Sequence, residues 1–330
     1  MLNLASKLPR LPTLDQIINQ GPIPQAAGEF GAATLGVADK PTISQDLYDD
    51  LVHYFKYSST AYAIILPGPS FIPVRPNGQK LCGKMFDLLT DSHGYVARDD
   101  TRKEIIVAFR GSVTPANFVT DALGALVDWD TKSTNVIAPP ETKVHFGFQN
   151  AWRVVCAKTM ALVTSELAAH PGYTIVTAGH SLGGAMAALA AVTLQMTFPT
   201  AQVKMYTYGQ PRTGNAILAA WINTLIGPER SFRGVYIYFF ISSISRSDCN
   251  SLSVVHSNDG VPTMAPRALG FVHHGTEYWA LSPHSPQQTR ICNAAGLEED
   301  PHGSMKIPTT GINPAHLSYF GIFYMTPYLI

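Results

Sequence analysis

Gly179-His180-Ser181-Leu182-Gly183 sets one serine between two glycines. That spacing suits a hydroxyl used as a nucleophile, provided that a strand turns sharply into a helix at the serine. The flanks fit. Tyr173 to Ala178 is a short apolar run, and Ala185 to Thr197 is a small-residue segment at helical spacing. A Cβ at either glycine would collide across so tight a turn. The turn exposes the serine oxygen, and the helix N-terminus behind it presents a positive dipole where an oxyanion would form. A serine hydroxyl is a poor nucleophile until a histidine takes its proton, and a carboxylate must hold that imidazole in the right tautomer.

For a Gly-x-Ser-x-Gly turn the chain order is serine, acid, histidine. Beyond Ser181 the acids are Glu229, Asp248, Asp259, Glu277, Glu298, Glu299 and Asp300. Asp259 follows Val254-Val255 and precedes Gly260-Val261-Pro262, which puts it at a strand's carboxyl end, where α/β sheets gather their sites. The same Asn258-Asp259-Gly260 also reads as a turn. Six histidines follow: His256, His273, His274, His284, His302 and His316. His316 comes late enough to return to the sheet top. His273 and His274, beside Gly275, stay open. Val107 to Ser112 is an earlier strand end, so the backbone N–H groups of Ser112 and Leu182 are the candidate oxyanion donors, helped by the Ser112 hydroxyl. Phe118, Val119, Ala122, Leu123 and Leu126 fall on one helical face, with Asn117, Asp121 and Asp128 off it. Such a helix is either a lid that opens onto lipid or a core-packing element.

The elements that must position these residues follow from periodicity. Ser44 is an N-cap for a helix through Leu47, Leu51, Tyr54 and Phe55. Residues 64–82, with four Pro and two Gly, read as a loop. Gly94 to Arg98 and Lys103 to Phe109 flank a turn cluster and read as a hairpin. Trp152, Val155, Cys156, Met160, Val163 and Leu167 line a helix that stops at Pro171-Gly172. Strands at 173–178, 202–208 and 277–281 complete an α/β order, which implies a mostly parallel sheet covered by helices on both faces. Residues 1–42, rich in Pro, Gly and Ala, form an arm lying on the body or partly disordered, and 43–330 form one domain.

Composition narrows the partners. Lys and Arg number 23 and Asp and Glu 23 across 330 residues, so the formal net charge is zero and no basic excess exists to neutralise nucleic acid phosphates. Charged residues make up 14%, well under an average domain's quarter, while 46% are hydrophobic, which excludes a disordered chain. Cys82, Cys156, Cys249 and Cys292 are too few and too scattered for a disulfide scaffold or a zinc site. No apolar run approaches bilayer-spanning length, and the N-terminus carries no apolar signal-peptide core.

Together these residues resemble the fungal class 3 lipase family, the group of the Rhizomucor and Thermomyces lipases and of feruloyl esterases. The matching segments are Phe109-Arg110-Gly111-Ser112, Val144 to Phe148, Gly179 to Gly184 and Tyr208 to Arg212, then His256 to Pro262, Gly275 to Trp279 and His316 to Gly321. They span roughly 44–321 in the family's order. The resemblance implies an α/β-hydrolase fold with a helical lid over 113–127, and an acyl-enzyme mechanism through Ser181, Asp259 and His316. It implies no metal or organic cofactor. It further implies a monomer that meets a lipid ester at a lipid–water interface, and a secreted protein, or else a truncated start or an intracellular member. The substrate expected is a triacylglycerol, the alternative a ferulate ester.

One segment departs from the pattern. After Phe232-Arg233 the chain runs through residues 234–253 before Val254, where the family has little. This reads as an insertion foreign to the working enzyme, such as an unspliced intron, and it would yield a catalytically impaired lipid-binding homologue if it disrupts the strand before Asp259. Cys156 reads as a core thiol, while Cys82 and Cys292 could pair.

Overall fold

Helix α1 (Gln45–Ala63) starts where its cap requires, with Ser44 Oγ accepting from the Leu47 N–H at 3.2 Å and Asp46 in the first turn. The structure, a computed structural model, describes residues 40–64, 74–112, 124–241, 254–281, 284–292, 299–306 and 311–329. After α1 come β1 (Lys80–Asp87), β2 (Ser92–Asp99) and β3 (Glu104–Phe109), an antiparallel meander. Strand β1 begins inside the stretch that reads as a loop. It pairs on one side only and is largely half-exposed, so it lacks the apolar alternation that marks an inner strand.

Next are β4 (Leu126–Asp128), β5 (Lys143–His145), α2 (Phe146–Ala169), β6 (Thr174–His180) and α3 (Leu182–Thr197). Then follow β7 (Val203–Tyr208), β8 (Gly214–Asn215), α4 (Ala216–Ile226), β9 (Ser231–Ile241) and β10 (Val254–Asn258). The chain ends with β11 (Phe271–Val272), β12 (Thr276–Ala280), β13 (Thr289–Cys292), β14 (Ser318–Tyr319) and β15 (Ile322–Phe323).

The main sheet runs β1-β2-β3-β6-β7-β9-β12-β13, with β10 added beside β9. Strands β3, β6, β7, β9 and β12 are mutually parallel, so their carboxyl ends share one edge. Strand residues alternate between two cores. Ile105, Val107 and Phe109 face the helix side with Trp152 and the Ala-rich α3, while Ile106 and Ala108 face Tyr54, Phe55 and Tyr57 of α1. Burial on both faces explains why these strands read as continuous apolar runs. This is the α/β-hydrolase arrangement expected from the sequence. Among the described residues, no helix is long and apolar enough to cross a membrane.

Strand β9 carries the odd segment. Gly234 pairs with Tyr208 on one side and Tyr278 on the other, so the first residues of 234–253 belong to the sheet. The strand then runs on, and β10 returns antiparallel to it, with Val254 opposite Ile241 and Asn258 opposite Ile237. Residues 242–253 lie outside the described residues. Cys82 and Cys292 sit on β1 and β13, opposite edges of the sheet, and both are free. Seven strand spacings of ~4.8 Å part them, far beyond the reach of a disulfide. Cys156 is a buried thiol in the core, as expected.

A buried ion pair joins β9 to β12. Arg233 Nη2 donates to Glu277 Oε2 at 2.8 Å, and both Glu277 oxygens also accept from Ser304 at 2.7 Å. Removing one partner strands the other charge in the core. Glu277→Ala is therefore expected to cost ~3–5 kcal/mol of unfolding free energy in a urea titration, and a loss under ~1 kcal/mol would contradict that account.

Candidate active site

Strand β6 turns into α3 within one residue, and that residue is Ser181, at φ 60° and ψ −129°. A non-glycine residue holds such a conformation only where its surroundings over-determine it. The surroundings are backbone. A Cβ at 179 would lie 2.0 Å from the Gly183 carbonyl oxygen, and a Cβ at 183 would lie 2.3 Å from that of Phe109. The Ser181 N–H donates to the Tyr208 carbonyl at 2.9 Å, and the Gly184 N–H donates to the Ser181 carbonyl at 2.9 Å. The turn is thus pinned from β7 and from α3. Leu182 is the first residue of α3, so its N–H has no partner within the helix.

His316 reaches this edge from the C-terminal segment, on a one-turn helix (Pro314–Leu317) capped by Asn313, whose side chain accepts from the N–H groups of Ala315 and His316. Its Nδ1 lies 3.0 Å from Asp259 Oδ1 and 3.1 Å from Oδ2. A carboxylate only accepts, so Nδ1 carries the hydrogen and Nε2 keeps its lone pair. That Nε2 is buried and makes no hydrogen bond. Ser181, Asp259 and His316 are all buried, with Asp259 fully enclosed.

Asp259 stands at the carboxyl end of a strand, β10, as the sequence suggests. That strand runs antiparallel to β9 and comes back to the sheet edge from beyond it, a direction the sequence did not indicate. Its carboxylate then meets a dense set of donors. The Val261 N–H donates to Oδ1 at 3.0 Å, and the Tyr319 hydroxyl donates to Oδ2. The loop itself is clamped. Arg212 donates twice to Glu299 at 2.7 Å and once to the Thr263 carbonyl at 2.9 Å. Glu299 also accepts from the His273 N–H at 2.9 Å. Burial pushes the Glu299 pKa up, but the Arg212 hydrogen bonds and charge outweigh it and hold the carboxyl below its usual range.

The other histidine candidates fall to structural work. His273 Nε2 donates to the Pro262 carbonyl at 2.7 Å, bracing the acid loop. His274 Nε2 accepts from Gln210 at 2.9 Å, and burial followed by Arg233 pushes its pKa down to about 3. Ser112 lies three residues past β3, and Gly111 beside it packs against the serine, since a Cβ at 111 would sit 2.8 Å from Ser181 Cβ. The expected lid residues Phe118, Val119 and Leu123 lie outside the described residues. Leu126 does not share a helical face. It opens β4, paired with His145, because the edge of the small β4-β5-β8-β11 sheet captures it in a strand too short to show alternation.

Gly209 and Tyr319 are site residues that residue-by-residue reasoning overlooked. Gly209 has φ 55°, and a Cβ there would lie 2.7 Å from His316 Nδ1 and 2.8 Å from Asp259 Oδ2. The signal was its place directly after an apolar strand. Tyr319 stands three residues after His316, and nothing in that spacing announces a donor to a distant carboxylate. Among the described residues no cluster of side chains is suited to a metal ion.

Fold and site together define the class: an α/β-hydrolase with a serine at a strained strand-to-helix elbow. Comparison with known proteins carries this further. The sequence model of the class 3 lipases matches residues 106–269. A lipase of Rhizopus niveus is 30% identical over 319 residues, which cover 94% of this chain and 72% of that protein. Among solved structures, the Rhizomucor miehei lipase propeptide complex matches with TM-score 0.70 and 26% identity, covering 96% of this chain and 95% of that one. A triacylglycerol lipase whose catalytic centre is described as a serine protease triad matches with TM-score 0.68 and 28% identity, covering 86% and 98%. The chain belongs to the class 3 lipase family and is a serine ester hydrolase.

Gly209→Ala is expected to lower kcat on a soluble ester at least ~10²-fold by displacing His316 and Asp259, with a cooperative thermal unfolding transition retained. Unchanged kcat would show that the triad tolerates a methyl group where the structure leaves no space.

Proposed function

We propose that the protein is a triacylglycerol lipase in which Ser181, Asp259 and His316 form the catalytic triad. The observation that carries this reading is the His316–Asp259 hydrogen bond, which leaves the buried Nε2 free to accept, together with a strained serine at the strand-to-helix turn. Ser181 Oγ attacks the ester carbonyl while His316 Nε2 takes its proton. The N–H groups of Ser112 and Leu182 hold the oxyanion, and His316 then returns the proton to the leaving alkoxide. Water repeats the sequence to free the fatty acid from the acyl-enzyme. Asp259, fixed by Val261 and Tyr319, keeps the imidazole in one tautomer and offsets its charge once protonated.

The family relatives named above are lipases, which favours lipid esters over ferulate esters. The apolar pattern of 113–123 supports a lid, and a neutral surface with few charges suits a monomer that works at a lipid–water interface. An impaired homologue fits less well, because Asp259 stays in place against His316 despite the long β9–β10 excursion. We read the part of this segment that continues β9, residues 234–241, as an extension of the sheet tolerated by the site. Coverage of this chain rises from 86% to 96% when the matched lipase carries its propeptide, which supports residues 1–42 as a pro-segment of a secreted enzyme.

The test is turnover of triolein emulsion, p-nitrophenyl esters of graded chain length and methyl ferulate. The reading expects long-chain esters to lead, and Ser181→Ala to lower kcat by about 10⁴- to 10⁶-fold. Methyl ferulate turned over as fast as triolein would overturn the substrate assignment.

A further inference from the structure

His180, the residue before the elbow serine, is locked into one tautomer. Its Nε2 lies 2.9 Å from the His316 carbonyl oxygen, which can only accept, so Nε2 carries the hydrogen. Its Nδ1 lies 2.8 Å from the Tyr62 hydroxyl oxygen. Burial first, then the neighbouring His316 ring, holds the His180 pKa well below the usual histidine range, so the ring is neutral and Nδ1 accepts from the Tyr62 O–H. Burial raises the Tyr62 pKa, which keeps that donor protonated.

The Tyr62 oxygen in turn meets the backbone of Gly111, on the oxyanion side of the site. A Cβ on Gly111 would fall 2.3 Å from the hydroxyl, so the two are packed closely together. Two bonds run in series with one polarity: Tyr62 O–H to His180 Nδ1, and His180 Nε2–H to the carbonyl of His316. Hydrogen bonds aligned this way strengthen each other, and their low-dielectric setting makes a missing link costly. The chain starts at a hydroxyl packed against the loop that carries Ser112, passes the residue bonded to Ser181, and ends on the backbone of the base.

We propose that Tyr62 and His180 are positioning residues that act as one strut, setting the His316 backbone relative to Ser181 and to the oxyanion loop. This rests on the ester-hydrolase reading of the site. Neither side chain needs to touch the ester. A buried histidine that merely fills space would serve equally with any side chain of its volume, whereas a strut needs a donor toward His316 and an acceptor toward Tyr62.

The experiment measures kcat and KM separately on soluble p-nitrophenyl butyrate for wild type, His180→Leu, His180→Gln, Tyr62→Phe and the Tyr62→Phe/His180→Leu double variant. His180→Leu is expected to lose about 10²-fold in kcat with KM nearly unchanged. His180→Gln, whose amide still donates toward His316, should stay within about tenfold of wild type, and Tyr62→Phe should lose about tenfold. The double variant should lose no more than His180→Leu alone, because one strut can be broken only once. Equal losses for His180→Leu and His180→Gln, or losses that multiply in the double variant, would overturn the proposal. Tyr62→Phe removes a single oxygen and keeps the ring, so wild-type kcat in that variant would overturn it even if His180→Leu does not fold. A ¹⁵N spectrum showing His180 protonated on Nδ1 would overturn it independently of activity. Absence of ester turnover in wild type, with Nε2–H seen in that spectrum, would count against the lipase reading and not against the strut.

Discussion

Ser181 sits at φ 60° between a strand and a helix, and the neighbouring backbone leaves no room for any other arrangement. Glycines at 179 and 183 let α3 close onto the ends of β6 and β3. Hydrogen bonds from β7 and α3 then fix the serine backbone. Such strain persists only because a buried parallel sheet on one side and an Ala-rich helix on the other hold it. The same closure starts α3 directly after the serine and draws Gly111 against Ser181. The positions of the proposed nucleophile and of the proposed oxyanion donors are therefore consequences of one packing constraint.

The proposed acid and base are held differently. His316 and Asp259 lie on segments with little regular structure, so side-chain hydrogen bonds do the work that strands do for the serine. The Arg212–Glu299 pair, 87 residues apart in the chain, fastens the acid loop to the segment after Gln210. His273 braces the same loop at Pro262, and Tyr319 closes the second oxygen of Asp259. This clamp explains how the long β9–β10 hairpin can precede Asp259 without shifting it. The loop is registered by Arg212 after β7, His273 after β11 and Tyr319 of the C-terminal segment, and not by the strand that delivers it.

What the sequence revealed follows the range of each interaction. The elbow, the N-cap at Ser44 and the β2–β3 hairpin are set by neighbours within a few residues, and each was legible from spacing alone. Asp259 and His316 needed chain order and family resemblance, because His273 and His274 were equally plausible by residue type. Strand β1 was hidden by its edge position. The antiparallel return of β10, the end of the helical pattern at Leu126, and the roles of Tyr319, Gly209 and Arg212 depend on contacts made by residues distant in the chain. No local pattern encodes them. Cys82 and Cys292 looked equally able to pair until the strand order set them on opposite edges.

The central claim is that Ser181 is the nucleophile activated by His316. A p-nitrophenyl alkylphosphonate, which bonds only an activated serine, tests it by intact mass and peptide mapping. The account predicts one adduct per chain, located on Ser181, forming in step with loss of esterase activity and slowed at least ~10²-fold by His316→Ala. An adduct on another residue, or labelling that proceeds undiminished in Ser181→Ala, would contradict it.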